Sequence, residues 1–129
     1  MRKMDKENVV EDVKKDLPEI LKGNSKKLVE DAERLGRYLA QRRGKTKEMT
    51  TSQIRNIFSE VKGMREFNKY EMDLLLPKLA YTARHEEVQD LQEVLDEAIR
   101  KVENDEEKFE RFRDFFEAVV AYHRRYGKE

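Results

Sequence analysis

The stretch FRDFFEAVVAYHRRYG, residues 112–127, decides the fold class of this 129-residue chain. Its apolar side chains recur every three or four residues, a spacing that puts them on one side of an α-helix. The pattern begins one turn earlier, and its members are Phe109, Phe112, Phe116, Val119, His123 and Tyr126, widened by Phe115 and Tyr122. We therefore predict a long helix whose phenylalanine side belongs to a core.

Two earlier segments have the same period and carry start signals. Segment 24–44 can be capped by Asn24 or Ser25, whose side-chain oxygens can accept from free backbone N–H groups. A second helix begins at a capping box, because Thr50 and Gln53 have the T-x-x-Q spacing and can satisfy each other's backbone N–H. Both segments are predicted to be amphipathic helices of the same core.

Two further helices are predicted after residue 63. Asn68 and Glu71 repeat the start signal, and Pro77 lies inside the helix that follows. A proline removes a hydrogen bond and crowds the preceding turn, so we expect a kink or a restart there. Segment 88–102 has a regular apolar stripe and an acidic outer side, which is typical of a surface helix.

The beginning of the chain is less well specified. Residues 4–17 form a charged, weakly apolar helix candidate that we expect to end near Pro18, and residues 1–24 as a whole are loosely specified. No strand-like alternation competes anywhere in the sequence. The predicted fold is all-α: residues 1–129 form a single-domain bundle of five to six helices.

Composition limits the classes of protein that remain. Charged residues make up 43% of the chain and hydrophobic residues 37%, which predicts a thin core under charged helices. No apolar run is long enough to span a bilayer, and no signal peptide is visible. Without cysteine there are no disulfides and no thiolate metal ligands. We expect a soluble, cytoplasmic protein.

The net charge of zero conceals an uneven distribution. Residues 34–65 contain nine basic and two acidic residues, a net charge of +7, whereas residues 86–117 contain five basic and thirteen acidic residues, a net charge of −8. One reading is that the basic part attracts phosphate. The other is that the two parts neutralise each other in the fold, and the charges alone favour neither.

Motifs that would carry catalysis are missing. His85 starts HEEVQ, which lacks the second histidine of H-E-x-x-H, and neither His85 nor His123 has a glutamate three residues before it, as a di-iron site requires. No glycine-rich phosphate loop and no G-x-S-x-G are present. Acid pairs such as Glu86–Glu87 belong to a solvated helix. We predict that the chain is not an enzyme and that it uses no cofactor or metal.

Basic residues beside aromatic ones suggest a nucleic-acid interface. Arginine and lysine at helical spacing follow a phosphate backbone without reading bases. His123 is either a core histidine bonded within the bundle or an RNA-facing donor. Arg124 and Arg125, like Arg42 and Arg43, either complement a helix C-terminus or contact phosphate.

Three blocks together resemble a known family. They are TTSQIRNIFSEV (residues 50–61), LLLPKLAYTAR (74–84) and FERFRDFFEAVVAYHRRYG (109–127). Their order is similar to that of the small helical subunit of the type III-A CRISPR effector, the Csm complex, over roughly the last eighty residues. The resemblance implies a non-enzymatic subunit that stacks in several copies along the guide-RNA filament. It implies partners as well: the backbone and large subunits, guide RNA, target RNA and other copies of itself.

The resemblance also implies where RNA is bound. Arg55, Lys78, Arg84 and Arg124 are the contacts that we favour among the matching positions. The full set of candidate RNA-binding residues is Gln53, Arg55, Lys62, Lys78, Arg84, His123, Arg124, Arg125, Arg42, Arg43 and Lys45. They would bind the guide–target duplex through its phosphates.

Two other functions compete with this one. A stand-alone DNA-binding regulator could use helix 50–61, whose first N–H groups are suited to phosphate, but no second helix follows at helix-turn-helix spacing. A small helical adaptor would bind only protein, and removing its basic residues would leave RNA binding unchanged.

Overall fold

The computed structural model describes residues 6–41 and 48–127. These residues form six α-helices and one short 3₁₀ helix, and they contain no strand. In chain order the elements are α1 (Lys6–Leu21), α2 (Ser25–Ala40), α3 (Thr51–Lys62), α4 (Lys69–Thr82), the 3₁₀ helix (Glu86–Val88), α5 (Gln89–Val102) and α6 (Glu106–Tyr126). The prediction of an all-α bundle of five to six helices is confirmed.

The predicted capping residues begin their helices as expected. Asn24 accepts from the Lys27 N–H at 3.1 Å and so starts α2. At α3 the capping box is complete, because Thr50 and Gln53 each accept the other's backbone N–H. The Asn68 side chain accepts from the Glu71 N–H at 3.0 Å and so starts α4. Each of these side chains satisfies a donor that has no partner within its own helix.

Two expectations about proline are corrected. α1 does not end near Pro18 but continues to Leu21. Ile20 and Leu21 are buried beyond the proline, and their burial offsets the lost hydrogen bond. α4 does not restart at Pro77, because Leu75 and Leu79 are buried on either side of it in one unbroken helix.

The described part of α1 belongs to the core despite its weak sequence signal. Its buried side chains are Val9, Val10, Val13, Leu17, Ile20 and Leu21. α1 packs against α2, α5 and α6. On its outer side, Lys14 binds Glu93 of α5, with 2.7 Å between Nζ and Oε2. Part of the acidic stretch is therefore neutralised by α1.

The phenylalanines of α6 lie where the sequence places them. Phe109, Phe112, Phe115 and Phe116 are all buried. Phe58 of α3 meets Phe116 edge to face, with 5.2 Å between ring centroids. Together with the stripes of α2 and α5, these rings form one continuous hydrophobic core.

α2 and α6 approach each other closely at Gly36 of α2. A Cβ atom added there would lie 2.8 Å from the His123 nitrogen and 2.8 Å from the Val119 carbonyl oxygen, both of them backbone atoms of α6. Real Cβ atoms do not come this close to another helix's backbone. Only glycine lets α2 and α6 pack at this distance.

Gly36→Ala should lower the free energy of unfolding by about 1–3 kcal/mol, because the added methyl group pushes α6 away from α2. Urea unfolding monitored by circular dichroism measures it. Gly63→Ala is the matched control: Gly63 has helical φ and ψ, and the nearest atom to an added Cβ is 3.3 Å away. A Gly36→Ala variant as stable as this control would contradict the close packing.

A pair of aspartates lies between α1 and α2. Asp31 is only 3% exposed, and its carboxyl interacts with that of Asp16. Burial, and then the hydrogen bond and negative charge of Asp16, raise the pKa of Asp31 to about 7. The same hydrogen bond, helped by Lys27, lowers the pKa of Asp16. The pair thus holds one proton at acidic pH.

This pair predicts a loss of stability as pH rises. The unfolded chain releases the Asp31 proton near its ordinary pKa of 3.8, whereas the folded chain keeps it until about 7. The stabilising contribution is therefore full below pH 4 and lost as pH rises through 7. Asp31→Asn should remove this dependence and make the protein more stable at pH 8 by about 2 kcal/mol.

Urea unfolding at pH 5 and pH 8 checks the expectation. Asp114→Asn, at an exposed position on α6, is the control and should keep the wild-type pH dependence. If the free energy of unfolding fell by the same amount between pH 5 and pH 8 in Asp31→Asn and in wild type, the proton would not reside on Asp31.

Candidate nucleic-acid interface

His123 connects three helices from within the core. It is 1% exposed, and its Nε2 lies 2.7 Å from the Met49 carbonyl oxygen. Since a carbonyl can only accept, Nε2 carries the proton. The Met49 N–H in turn donates to the Leu39 carbonyl at the end of α2. Thr50, the next residue, caps α3, so α6 and α2 together fix where α3 begins.

The position of His123 bears on its two readings, a core histidine or an RNA-facing donor. Burial lowers its pKa below the ordinary value, which favours the neutral ring. The core reading of the histidine is the one that the structure shows. The residue is 1% exposed in this conformation, and RNA contact by His123 stays a prediction.

A pocket of about 370 Å³ lies where α3 begins and α6 ends. Arg55 and residues 48–52 line it on one side, and Ala40 and Gly127 line it on others. The first turn of α3 has no acidic residue, and the acidic side chain in the lining of the pocket is Glu48. We call this space the α3–α6 pocket.

Four predicted cations on α3 and at the end of α6 are exposed: Arg55, Lys62, Arg124 and Arg125. Arg55 and Lys62 share the outer side of α3 with Ser59, as the sequence predicts. None of the four has an ion pair with the described residues, and Arg125 only approaches the Tyr126 ring, at 5.3 Å. We call them the unpaired basic residues.

Two further predicted cations, Lys78 and Arg84, lie at a second place. A cleft of about 660 Å³ separates α3 from α4, with Phe112, Phe116 and other core residues in its floor. On its rim, Lys78 binds Glu60 of α3, with 3.2 Å between Nζ and Oε1. Arg84 stacks on the Tyr81 ring at 4.0 Å and donates to the Tyr81 carbonyl. This region is the α3–α4 cleft.

Gln53 holds elements together. Besides completing the α3 capping box, its side-chain amide donates to Glu87 of the 3₁₀ helix at 2.8 Å. Glu87 is 4% exposed. These two bonds use one acceptor site and one of the two N–H donors of its amide, and RNA contact by Gln53 stays a prediction.

Arg42, Arg43 and Lys45 lie outside the described residues. The described part of the chain before them ends with α2, which closes at Ala40 with Gln41 as its C-cap. Ala40 and Glu48, which flank this stretch, both line the α3–α6 pocket.

Other basic residues are used inside the molecule. Arg34 binds Asp12 of α1 at 3.0 Å. Arg37 donates to the Tyr126 hydroxyl at 3.1 Å and lies over the same ring. Some basic residues of stretch 34–65 are therefore paired within the molecule and others are not. The sequence alone could not show which residues are paired.

Sequence reasoning missed the α3–α4 cleft, and the one available signal was an apolar pattern around all of α4. Within residues 6–41 and 48–127 no group of three His, Asp or Glu side chains is placed to hold a metal. No helix in that same part of the chain is both long and apolar enough to cross a membrane.

Comparison with known proteins identifies a family. The family model Csm2 Type III-A matches residues 22–129. No curated protein and no solved structure matches the chain. The matched range includes every candidate residue of the interface and excludes all of α1.

His123→Ala should lower the free energy of unfolding by about 2–4 kcal/mol, because it leaves a cavity and removes the bond that holds Met49. Arg124→Ala, one residue on and exposed, should change it by less than about 0.5 kcal/mol. Urea unfolding of both variants compares them. Equal, small effects would contradict a structural role for His123.

Proposed function

This chain belongs to the Csm2 Type III-A family, and we propose that it acts as a non-catalytic RNA-binding subunit. The family makes it a subunit of the type III-A CRISPR effector. In the proposal, several copies stack along the guide-RNA filament in the cytoplasm, beside the backbone and large subunits. Residues 1–129 form a single domain in this proposal. The biological role of the complex is antiviral defence. The family match over residues 22–129 is the observation that carries this proposal.

The unpaired basic residues support the RNA-binding part. A cation without an internal carboxylate partner can neutralise phosphate without first breaking an ion pair. Arg55 and Lys62 are two turns apart on one side of α3, and Arg124 and Arg125 end α6. Because α3 begins where α6 ends, these two pairs lie on neighbouring elements.

The other candidate residues have different roles in the proposal. Lys78 and Arg84 can add phosphate contacts at the α3–α4 cleft, although Lys78 must leave Glu60 to do so. Arg42, Arg43 and Lys45 remain candidates because their stretch is flanked by residues of the α3–α6 pocket. Gln53 and His123 act as structural residues that place α3.

The contacts are to the RNA backbone and not to bases. Lysine and arginine on helix surfaces meet phosphates at a spacing that is the same for every sequence. Each copy supplies only a few such contacts, and stacked copies bind the same RNA together, which multiplies a weak affinity. A subunit with zero net charge is sufficient for this task.

Replacing Arg55 and Arg124 together with alanine should weaken RNA binding about equally for unrelated sequences. It should also reduce the slope of log affinity against log salt by about 1–2, because up to two phosphate contacts are lost. Filter binding of the effector complex, assembled with wild-type or variant subunit, to target RNAs of different sequence measures both quantities.

Lys26→Ala is the matched control. Lys26 is an exposed cation without an ion pair among the described residues, and it lies at the start of α2, opposite the end near the α3–α6 pocket. Its substitution should leave the slope unchanged. A loss confined to one RNA sequence, or an unchanged slope in the double variant, would contradict backbone binding by Arg55 and Arg124.

A further inference from the structure

α4 has a second apolar side that faces solvent. Met72, Leu75 and Leu79 face the core. On the opposite side, at intervals of four, three and four residues, lie Tyr70, Leu74, Pro77 and Tyr81, all exposed, and the last two also border the α3–α4 cleft. This spacing keeps them in one line along the helix. We call these four residues the α4 stripe.

The α4 stripe is an unusual concentration of exposed apolar surface. Four large hydrophobic side chains are strongly exposed in the described residues, and three of them are in the stripe: Tyr70 at 74%, Leu74 at 43% and Tyr81 at 66%. Exposed apolar groups collected in one place mark a contact with another protein, and tyrosine is enriched in such contacts.

The order of residues in the stripe is symmetric. Read in either direction it is tyrosine, an apolar residue, an apolar residue, tyrosine. When two copies of one helix pack antiparallel, residues whose numbers have a constant sum face each other. Tyr70 then meets Tyr81 of the second copy, and Leu74 meets its Pro77. A two-fold contact requires this self-complementarity.

The charges beside the stripe fit the same arrangement. Glu71 and Lys78 are seven residues apart, so they lie on the same flank of α4. In the antiparallel pair, Glu71 lies diagonally across from Lys78 of the second copy, two positions off the register of the stripe and within reach of these long side chains, and the pair occurs twice. Glu71 has no ion pair within the described residues. Lys78 has one with Glu60, but both side chains are more than half exposed and can exchange partners at little cost.

We propose that two copies of this chain associate through the α4 stripe as an antiparallel, two-fold helix pair. The tyrosines form the two ends of the contact, Leu74 and Pro77 its centre, and the Glu71–Lys78 pairs set its register. Such a pair is closed, so it is distinct from an open stack of copies along RNA. α3 and α6, which carry the unpaired basic residues, take no part in it.

Sedimentation velocity of the isolated full-length chain over a concentration series tests the proposal. Wild type should shift from monomer to dimer as its concentration rises. Leu74→Glu places two carboxylates at the centre of the contact and should raise the dimer dissociation constant at least about tenfold. Val29→Glu is the matched control, because Val29 is also an exposed apolar helix residue, at 46%, but lies on α2. It should leave the constant unchanged.

Charge exchange tests the register. Glu71→Lys alone or Lys78→Glu alone places like charges opposite each other and should weaken the dimer. The double variant restores opposite charges and should recover wild-type association. Circular dichroism shows that each variant is folded. A double variant as weak as the single variants would overturn the antiparallel register.

Three other results would overturn the proposal. Wild type could be monomeric at every concentration. A dimer formed by exchanged helices would resist Leu74→Glu. If Leu74→Glu left the isolated chain unchanged but reduced its incorporation into the effector complex, the α4 stripe would belong to a contact with another subunit.

Discussion

The close approach of α2 and α6 at Gly36 determines where the rest of the interface lies. Gly36 lets the backbone of α6 come near enough for His123 to enter the core, and His123 holds the Met49 carbonyl. Met49 also donates to Leu39 of α2, so the residue before the α3 cap is bonded to two helices. The direction of α3, and with it the position of Arg55, follows from this single contact.

Much of the fold can be predicted from local signals. Asn24, Thr50, Gln53 and Asn68 cap the helices that the sequence assigns to them, because a cap depends only on a side chain and the next few N–H groups. The phenylalanine side of α6 is likewise fixed by its period. Local signals do not predict the effect of packing between residues that are distant in the sequence. Pro18 does not end α1, because Ile20 and Leu21 are buried beyond it.

The candidate site is predictable only in its residue types. Arg55 and Lys78 look alike in the sequence, yet Lys78 binds Glu60 on a helix eighteen residues away while Arg55 has no ion pair in the described chain. His123 lies on an apolar stripe beside two arginines. Only the position of Met49 shows that the histidine belongs with the apolar stripe and not with the arginines. Gly36 gives no signal at all, since its importance lies in a helix that comes more than eighty residues later.

The central claim is that α3 and the end of α6 together present one RNA-contacting side. Ultraviolet cross-linking of the assembled effector complex to its bound RNA, with the linked peptides identified by mass spectrometry, tests it directly. The account predicts cross-links in residues 51–62 and in residues 121–127 of this chain. Cross-links confined to the acidic outer surface of α5 and the first half of α6, or their absence from both predicted segments, would contradict it.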